Sequence, residues 1–583
     1  MSNDRFAQSQ SHDTVTGGPA APKDPTERRS AFYVVYETVV EATDRGNGIY
    51  SQELYLDNGR LASLAQFNGG IEDEALLELL RTCGGVRRLV HSIGVTVKAQ
   101  REEDAPVTFA MENWGKTSRY ETGTKLRVPC PIDGTEQVIE LTEVDWSEDD
   151  DVPGKFAFEF AHAGALATVS LIFYVHDGYQ VPEIEIEPPV DYGSPAYREM
   201  IGHSLLSQGN NKRLKAAIEK AKRGEEVTIA YIGGSITQGA GAKPIHTNCY
   251  AYQSYDRFKK LFEPAGNDNV RFVKAGVGGT PSELGIVRYD RDITRDGAVH
   301  PDIVVVEFAV NDAGDETEGN CFESLVLNVL SSPNRPAVII LFSVFINDWN
   351  LQDRLAPVGW HYHLPMVSVK DAVVEQFRKT KAEGNVISKR QFFYDIYHPT
   401  NAGHAVMADC LGNLFKAVDQ AEEDAEDIAI DKPPAIGNDF VGMRLLDRSN
   451  YQGIARVEEG GFTETDAELQ NVEMDDQPHG TPQFPYNWMR TASSGNAGFK
   501  LTFACRNLIL VFKDSGNSDF GKAEVVVDGK PLLVADPHVN NWTHCNAVLL
   551  VHGEETKEHE VEIRMAAGEE DKSFTVLGFG YVK

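Results

Sequence analysis

Val227-Thr228-Ile229-Ala230-Tyr231-Ile232-Gly233-Gly234-Ser235-Ile236-Thr237 is the stretch from which the rest of the chain can be read. Six apolar or β-prone residues form a short run suited to a buried strand. Two glycines then allow a tight turn, and a serine hydroxyl follows at once. Upstream, Asn211–Arg223 has the period of an amphipathic helix, and Gly224 stands where a helix C-cap is expected. Downstream the rhythm repeats: helix Tyr250–Phe262, strand Val270–Val273, helix Ser282–Arg291, strand Ile303–Val310, helix Phe322–Leu330, strand Ala337–Phe345, helix Val369–Thr380, a weak strand near Val386 and helix Ala402–Val418. Strands alternating with helices at this spacing imply a parallel sheet covered on both faces. Right-handed crossovers make it a flavodoxin-like, doubly wound α/β domain, expected over residues 196–421.

The flanks differ in texture. Residues 30–195 carry short alternating segments such as Val95–Ala99, Phe156–Phe160 and Thr168–Val175, separated by Gly, Asp and Pro clusters, so an all-β sandwich or jelly roll is expected there. Residues 422–435 are acidic, contain Lys432-Pro433-Pro434 and read as a linker. Residues 436–583 are strand-rich again, with a hairpin turn at Val527-Asp528-Gly529-Lys530, and read as a second β-sandwich with carbohydrate binding as one use. Residues 1–29, rich in Ser, Gln, Asp, Gly and Pro, read as a disordered tail without the apolar core of a secretory signal.

At 583 residues the chain exceeds one hydrophobic core, and 88 acidic against 55 basic residues give a net charge of −33. Such a field excludes nucleic acid and anionic membrane as natural partners and suits a neutral sugar. The longest apolar runs, Ala165–Val175 and Ala337–Phe345, are too short to span a bilayer. Seven scattered cysteines, without a C-x-x-C pair, fit reduced thiols and a cytoplasmic location.

In a parallel sheet the carboxyl ends of the strands share one edge, and ligands bind in the crevice there. Four polar or glycine-rich blocks fall at that edge: Gly233-Gly234-Ser235-Ile236-Thr237, Gly276-Val277-Gly278-Gly279-Thr280, Asn311-Asp312, and Asp395-Ile396-Tyr397-His398-Pro399-Thr400. Their residue types fit acyl transfer. Ser235 needs a base to become nucleophilic, His398 is the candidate, and Asp395 three positions earlier can orient its imidazole. The N–H groups of Ser235 and Gly279 and the side-chain amide of Asn311 can form an oxyanion hole.

These four blocks resemble the SGNH (GDSL-like) hydrolases, whose Ser, Gly, Asn and His match Ser235, Gly279, Asn311 and His398, with Asp395 completing the triad. Two positions depart from the pattern: Gly234 replaces the usual Asp of the first block, and Lys274 an Asn often found early in the second. Among SGNH enzymes, chains flanked by β-sandwich domains resemble carbohydrate esterases, so the resemblance implies removal of acetyl groups from acetylated xylan- or mannan-derived oligosaccharides without metal or organic cofactor. Other readings of the same family implicate lipid or other small acyl esters and thioesters. A non-catalytic carbohydrate-binding protein is the reading furthest from catalysis. Self-association as a homo-oligomer stays open.

Other patterns lose to this one. Ala240 stands where a Walker lysine would be, and Thr237 where an α/β-hydrolase elbow needs glycine. His361, His363, His398 and His404 lack a zinc motif, while Asp312 and Asp315 read as loop and cap residues. The segment Asn347–Pro365, read as a crevice-side loop, offers Trp349, Gln352, Trp360, His361 and His363 for sugar contact; Trp488 and Trp542 in the C-terminal region are further candidates.

Overall fold

The computed structural model describes residues 30–45, 48–183, 187–475 and 480–583. The expected tail, residues 1–29, lies outside them. The chain divides into two compact units: one runs to Val190 and includes Ser388–Thr400, the other comprises Asp191–Ile387 and Asn401–Lys583.

The first unit is built on two antiparallel sheets. One has the order Ala31–Glu41, Leu166–Val175, Val90–Ala99, Asp133–Glu140; the other, Thr43–Asp44, Tyr50–Tyr55, Asp150–Phe160, Val107–Gly115, Lys125–Cys130. Leu166–Val175 alternates half-buried and buried residues along its whole length, the period of a strand with one face on a core. That core, with Phe32, Phe109, Phe156, Phe158 and Phe173, draws on both sheets. Three helices (Arg60–Gly69, Glu74–Leu79 and Cys83–Leu89) interrupt the strands; Asp73 and Thr82 cap the second and third.

In the second unit, Val227–Gly233 forms the pivot of a six-stranded sheet. The order is Leu205–Ser207, Met366–Ser368, Ala337–Phe342, Ile303–Glu307, Val227–Gly233, Val270–Gly276, with only the first strand antiparallel to its neighbour. The five parallel strands follow the flavodoxin order, reversing direction of growth beside Val227–Gly233, which is where such sheets open a crevice. Their residues are almost all buried, as continuous apolar runs between two helical layers must be. The fifth parallel strand is Met366–Ser368 rather than the one expected near Val386, where the chain bends without entering the sheet. A three-residue strand is too short to display a period.

Residues 422–427 pack on the helix Lys212–Lys222. Asn211 donates Nδ2 to Glu422 O at 2.7 Å, and Arg213 holds Asp427 through Nε at 2.8 Å and Nη2 at 3.0 Å. Beyond them an antiparallel sheet orders Arg444–Leu446, Phe574–Val582, Phe499–Asp514, His544–Met565, Ala523–Val527, Lys530–Ala535, with Arg456–Glu458 and Trp488–Arg490 attached. One core is private to this sheet domain. A second is shared: Ile509, Val511, Leu577 and Val582 join Leu284, Val287 and Ile293 in one cluster. The helix Ser282–Tyr289 is buried at every residue, since the parallel sheet and the C-terminal sheet both cover it. Among the described residues no helix is long and apolar enough to cross a membrane.

Candidate active site

Ser235 opens a one-turn helix, Ser235–Gln238, directly after the Val227–Gly233 strand. It is half-buried, at a position where the backbone N–H points out of the helix end. The turn is fixed from beneath. Thr237 Oγ1 bonds the Tyr250 hydroxyl at 2.8 Å and donates to Glu307 Oε2 at 3.1 Å, while Ser343 donates to Glu307 Oε1. Glu307 is fully buried; that burial lifts its carboxyl to about 7, the Ser343 and Thr237 hydrogen bonds opposing the rise only in part. Lys274 closes the other end of the turn, donating Nζ to Gln238 O at 2.7 Å. Its burial lowers its pKa, against the pull of Cys249 and Glu473. The residue that departs from the family pattern here holds the last carbonyl of the Ser235–Gln238 helix.

The glycine block lies beside this turn. Buried Arg288 donates to the carbonyls of Gly233 at 2.9 Å and Ala275 at 2.8 Å, tying the ends of two adjacent strands, and pairs with Asp292 at 3.1 Å. A β-carbon on Gly278 would lie 3.7 Å from the Ser235 β-carbon. Gly279 is exposed, with φ of 75°, a backbone that disfavours any side chain. Asn311 approaches from the third block: a β-carbon at Gly234 would lie 2.2 Å from its Oδ1. Position 234 therefore has no room for a side chain while Asn311 occupies this place. Asn311 Oδ1 is buried without a hydrogen-bond partner among the described residues. Ser235, Gly279 and Asn311 thus all lie in the second unit, with Gly278 beside Ser235 and Asn311 against Gly234.

Asp312 and Asp315 turn inward. Asp312 Oδ1 accepts from Ser282 N at 2.7 Å, and burial raises its carboxyl to about 7; Arg354 pairs with Asp315 at 2.6 Å. His404 packs, accepting from Tyr250 N at 3.2 Å and donating to Ala240 O at 3.0 Å.

Asp395 and His398 lie on Ser388–Thr400, in the first unit. Tyr394 N donates to His398 O at 2.7 Å, closing a tight loop. Asp395 Oδ1 accepts from the N–H groups of Tyr397 at 2.8 Å and His398 at 2.7 Å, and Oδ2 meets His398 Nδ1 at 2.8 Å. The carboxylate therefore holds the proton on Nδ1 and leaves Nε2 as the basic nitrogen. Burial works against the imidazolium, but the Asp395 charge and hydrogen bond outweigh it and raise the His398 pKa. For Asp395, burial is likewise outweighed, by His398 and the two N–H bonds, and its pKa falls. The loop is anchored on the β-sandwich: Ser388 donates to Glu187 at 2.6 Å, Gln391 donates to Pro188 O at 2.7 Å, and the Arg390 guanidinium lies 4.1 Å from the Tyr36 ring centroid.

Several expected sugar contacts need correction. Asn347–Pro365 is not a loop throughout: Gln352–Tyr362 is a helix with Pro357 inside it. The helix links parallel strands Ala337–Phe342 and Met366–Ser368, so it runs back from the carboxyl edge, and Trp360, His361 and His363 fall at its far end. There His361 Nε2 bonds Pro433 O at 2.8 Å, and His363, with φ of 54°, ends the helix. Gln352 spends its amide on Asp371 at 3.1 Å and Ser368 at 2.6 Å. Trp349 stays on the carboxyl side, half-buried, its ring stacked 6.0 Å from Phe345. Trp488 is a core residue, fully buried against Tyr451, Phe499 and Phe579. Trp542 alone of the C-terminal pair is exposed, at 45%, and a β-carbon on Gly279 would lie 3.1 Å from its ring. Sequence reasoning missed Gln238, Gln470, Glu473 and His544, which surround the glycine block: Gln470 donates to Gly278 O at 2.9 Å and His544 meets Gly279 O at 3.0 Å.

Residues 231–406, which hold this sheet, the Ser235 turn and the glycine block, match the family model of the GDSL-like Lipase/Acylhydrolase family. Among curated proteins none matches this chain. Among solved structures, a two-domain esterase (CEX) active on acetylated mannans is similar to this chain, with 26% identity and a TM-score of 0.56 over 66% of this chain and 99% of that one. The two-domain esterase co-crystallized with mannopentaose gives 26% identity and a TM-score of 0.55, over 66% of this chain and 98% of that one.

Proposed function

We propose that the protein is a serine esterase that removes acetyl groups from plant-type oligosaccharides derived from mannan or xylan. The observation that supports the reading is the surroundings of Ser235, with Gly278 beside its β-carbon and Asn311 against Gly234, in a chain similar over 66% of its length to an esterase active on acetylated mannans. In this reading His398 Nε2 takes the Ser235 proton as Oγ attacks the acetyl carbonyl carbon. Negative charge builds on the carbonyl oxygen and is met by the N–H groups of Ser235 and Gly279 and the Asn311 amide. Collapse breaks the ester bond, and the proton on His398 passes to the departing sugar oxygen. Water then attacks the acetyl-serine with His398 again as base, releasing acetate. Asp395 supports the imidazolium in both halves.

Trp542 beside the oxyanion glycine offers an aromatic face to a sugar ring, and the net charge of −33 suits a neutral substrate. The test is a screen of acetylated manno-, xylo- and chito-oligosaccharides by mass spectrometry, with p-nitrophenyl acetate and octanoate alongside. Loss of acetyl groups from manno- or xylo-oligosaccharides, abolished in Ser235→Ala, is the expected result. Undiminished turnover in that variant, or preference for octanoate, overturns the assignment.

A further inference from the structure

The Gly278-Gly279 loop is held largely by side chains from the C-terminal part of the chain, far in sequence from Ser235. Gln470, almost fully buried, donates Nε2 to Gly278 O at 2.9 Å and accepts from Cys545 N at 3.0 Å on Oε1, so its amide is fixed at both ends. His544 Nε2 meets Gly279 O at 3.0 Å, while Nδ1 lies 3.0 Å from Asp514 Oδ2. On the other side Gly278 N donates to Gln238 Oε1 at 3.0 Å, and Gln238 Nε2 donates to Glu473 at 2.6 Å. Of the backbone groups of this Gly-Gly pair, the N–H of Gly279 alone makes no hydrogen bond among the described residues, and Gly279 is exposed.

A trans peptide is a rigid plane in which the carbonyl of one residue and the N–H of the next point in opposite directions. Whatever fixes Gly278 O therefore aims Gly279 N–H. Glycine on both sides of that plane removes the β-carbons that would otherwise restrict its rotation. The geometry points to Gln470 as a positioning residue that sets the Gly279 N–H as an oxyanion donor, with His544 locking the next peptide. The C-terminal β-domain is then a structural part of the acyl-transfer machinery. This inference rests on the esterase reading above.

The test uses the full chain, with Gln470→Glu, Gln470→Ala, His544→Phe and His544→Gln compared with wild type and Ser235→Ala on p-nitrophenyl acetate. Phenylboronic acid serves as a probe of tetrahedral-adduct binding. Glutamate keeps the shape of Gln470 and can accept from Cys545 N, but its carboxylate cannot donate to Gly278 O. Gln470→Glu and Gln470→Ala should each lower kcat about 10–100-fold, with KM within about 3-fold and weaker phenylboronic acid binding by the same factor as kcat. A merely structural loss would lower the melting temperature without that parallel. His544→Gln, which restores a donor to Gly279 O, should keep more activity than His544→Phe; equal values for these two, or a Gln470→Glu variant with wild-type kcat and boronate affinity, overturn the inference. Should the Gln470 variants fail to fold, the His544 pair decides. If Ser235→Ala retains full turnover, the esterase reading falls; if it is dead while Gln470→Glu is unimpaired, only the positioning role falls.

Discussion

Replacing Gly234 with alanine tests the proposed oxyanion hole through a single methyl group. The new β-carbon would lie 2.2 Å from Asn311 Oδ1, 2.4 Å from Cγ and 2.6 Å from Nδ2. Non-bonded carbon contacts are comfortable near ~3.5 Å, so the carboxamide must retreat by about 1 Å. A donor displaced by that much leaves the ~2.7–3.1 Å range that stabilises an oxyanion, and loss of one donor costs about 10²–10³-fold in kcat, or about 3–4 kcal/mol. The assay is steady-state hydrolysis of p-nitrophenyl acetate by Gly234→Ala, Asn311→Ala and the double variant. If the methyl acts only by pushing Asn311 aside, all three lose a similar factor and the double variant is far from additive. A Gly234→Ala enzyme within about 3-fold of wild type, or additive losses, would refute the reasoning.

Three further outcomes can be checked. Asp395→Asn should cut kcat by about 10³–10⁴-fold and move the acidic limb of the kcat/KM profile to lower pH, since the charge that raises the His398 pKa is gone; an unshifted limb contradicts the pairing. Glu307, lifted to about 7 by burial, binds its proton more tightly folded than unfolded, so stability falls as pH climbs from the ordinary carboxylate range to about 7; Glu307→Gln should shrink the difference in unfolding free energy between about pH 5 and about pH 8 by on the order of 3 kcal/mol in urea titrations. Trp488→Ala should cost about 3–5 kcal/mol of stability by emptying a core site, whereas Trp542→Ala should leave the unfolding midpoint in place and raise KM for oligosaccharide esters.

The sequence made the doubly wound domain legible because its central strands are long apolar runs and each ends in a glycine or polar block. Asp395 and His398, three apart, needed only a local loop to meet, and their spacing announced it. The short strands Leu205–Ser207 and Met366–Ser368 carry too few residues to show a period. Gln352–Tyr362 was misread because Pro357 and a cluster of aromatic and histidine residues imitate a loop, although the parallel pairing of its neighbouring strands demands a return helix. Trp488 stands next to Tyr486 and Asn487 in a turn-like context, and only its pairing with Val576 reveals a strand entering the core. The support of the glycine block was illegible for a different reason. Gln470 and Gly278 are 192 residues apart, and a single amide-to-carbonyl bond leaves no trace in local composition.

The assignment of Ser388–Thr400 to the first unit, while its neighbours on either side belong to the second, has a consequence for dissection of this protein. No single cut separates the two folding units, since the backbone passes from one to the other at three points. A fragment beginning at Asp191 would retain His398 but strip Ser388, Arg390 and Gln391 of Glu187, Tyr36 and Pro188. The leading β-sandwich is therefore bound into the inheritance of the whole: trimming it, or grafting another module in its place, would require rebuilding the cradle of the imidazole as well.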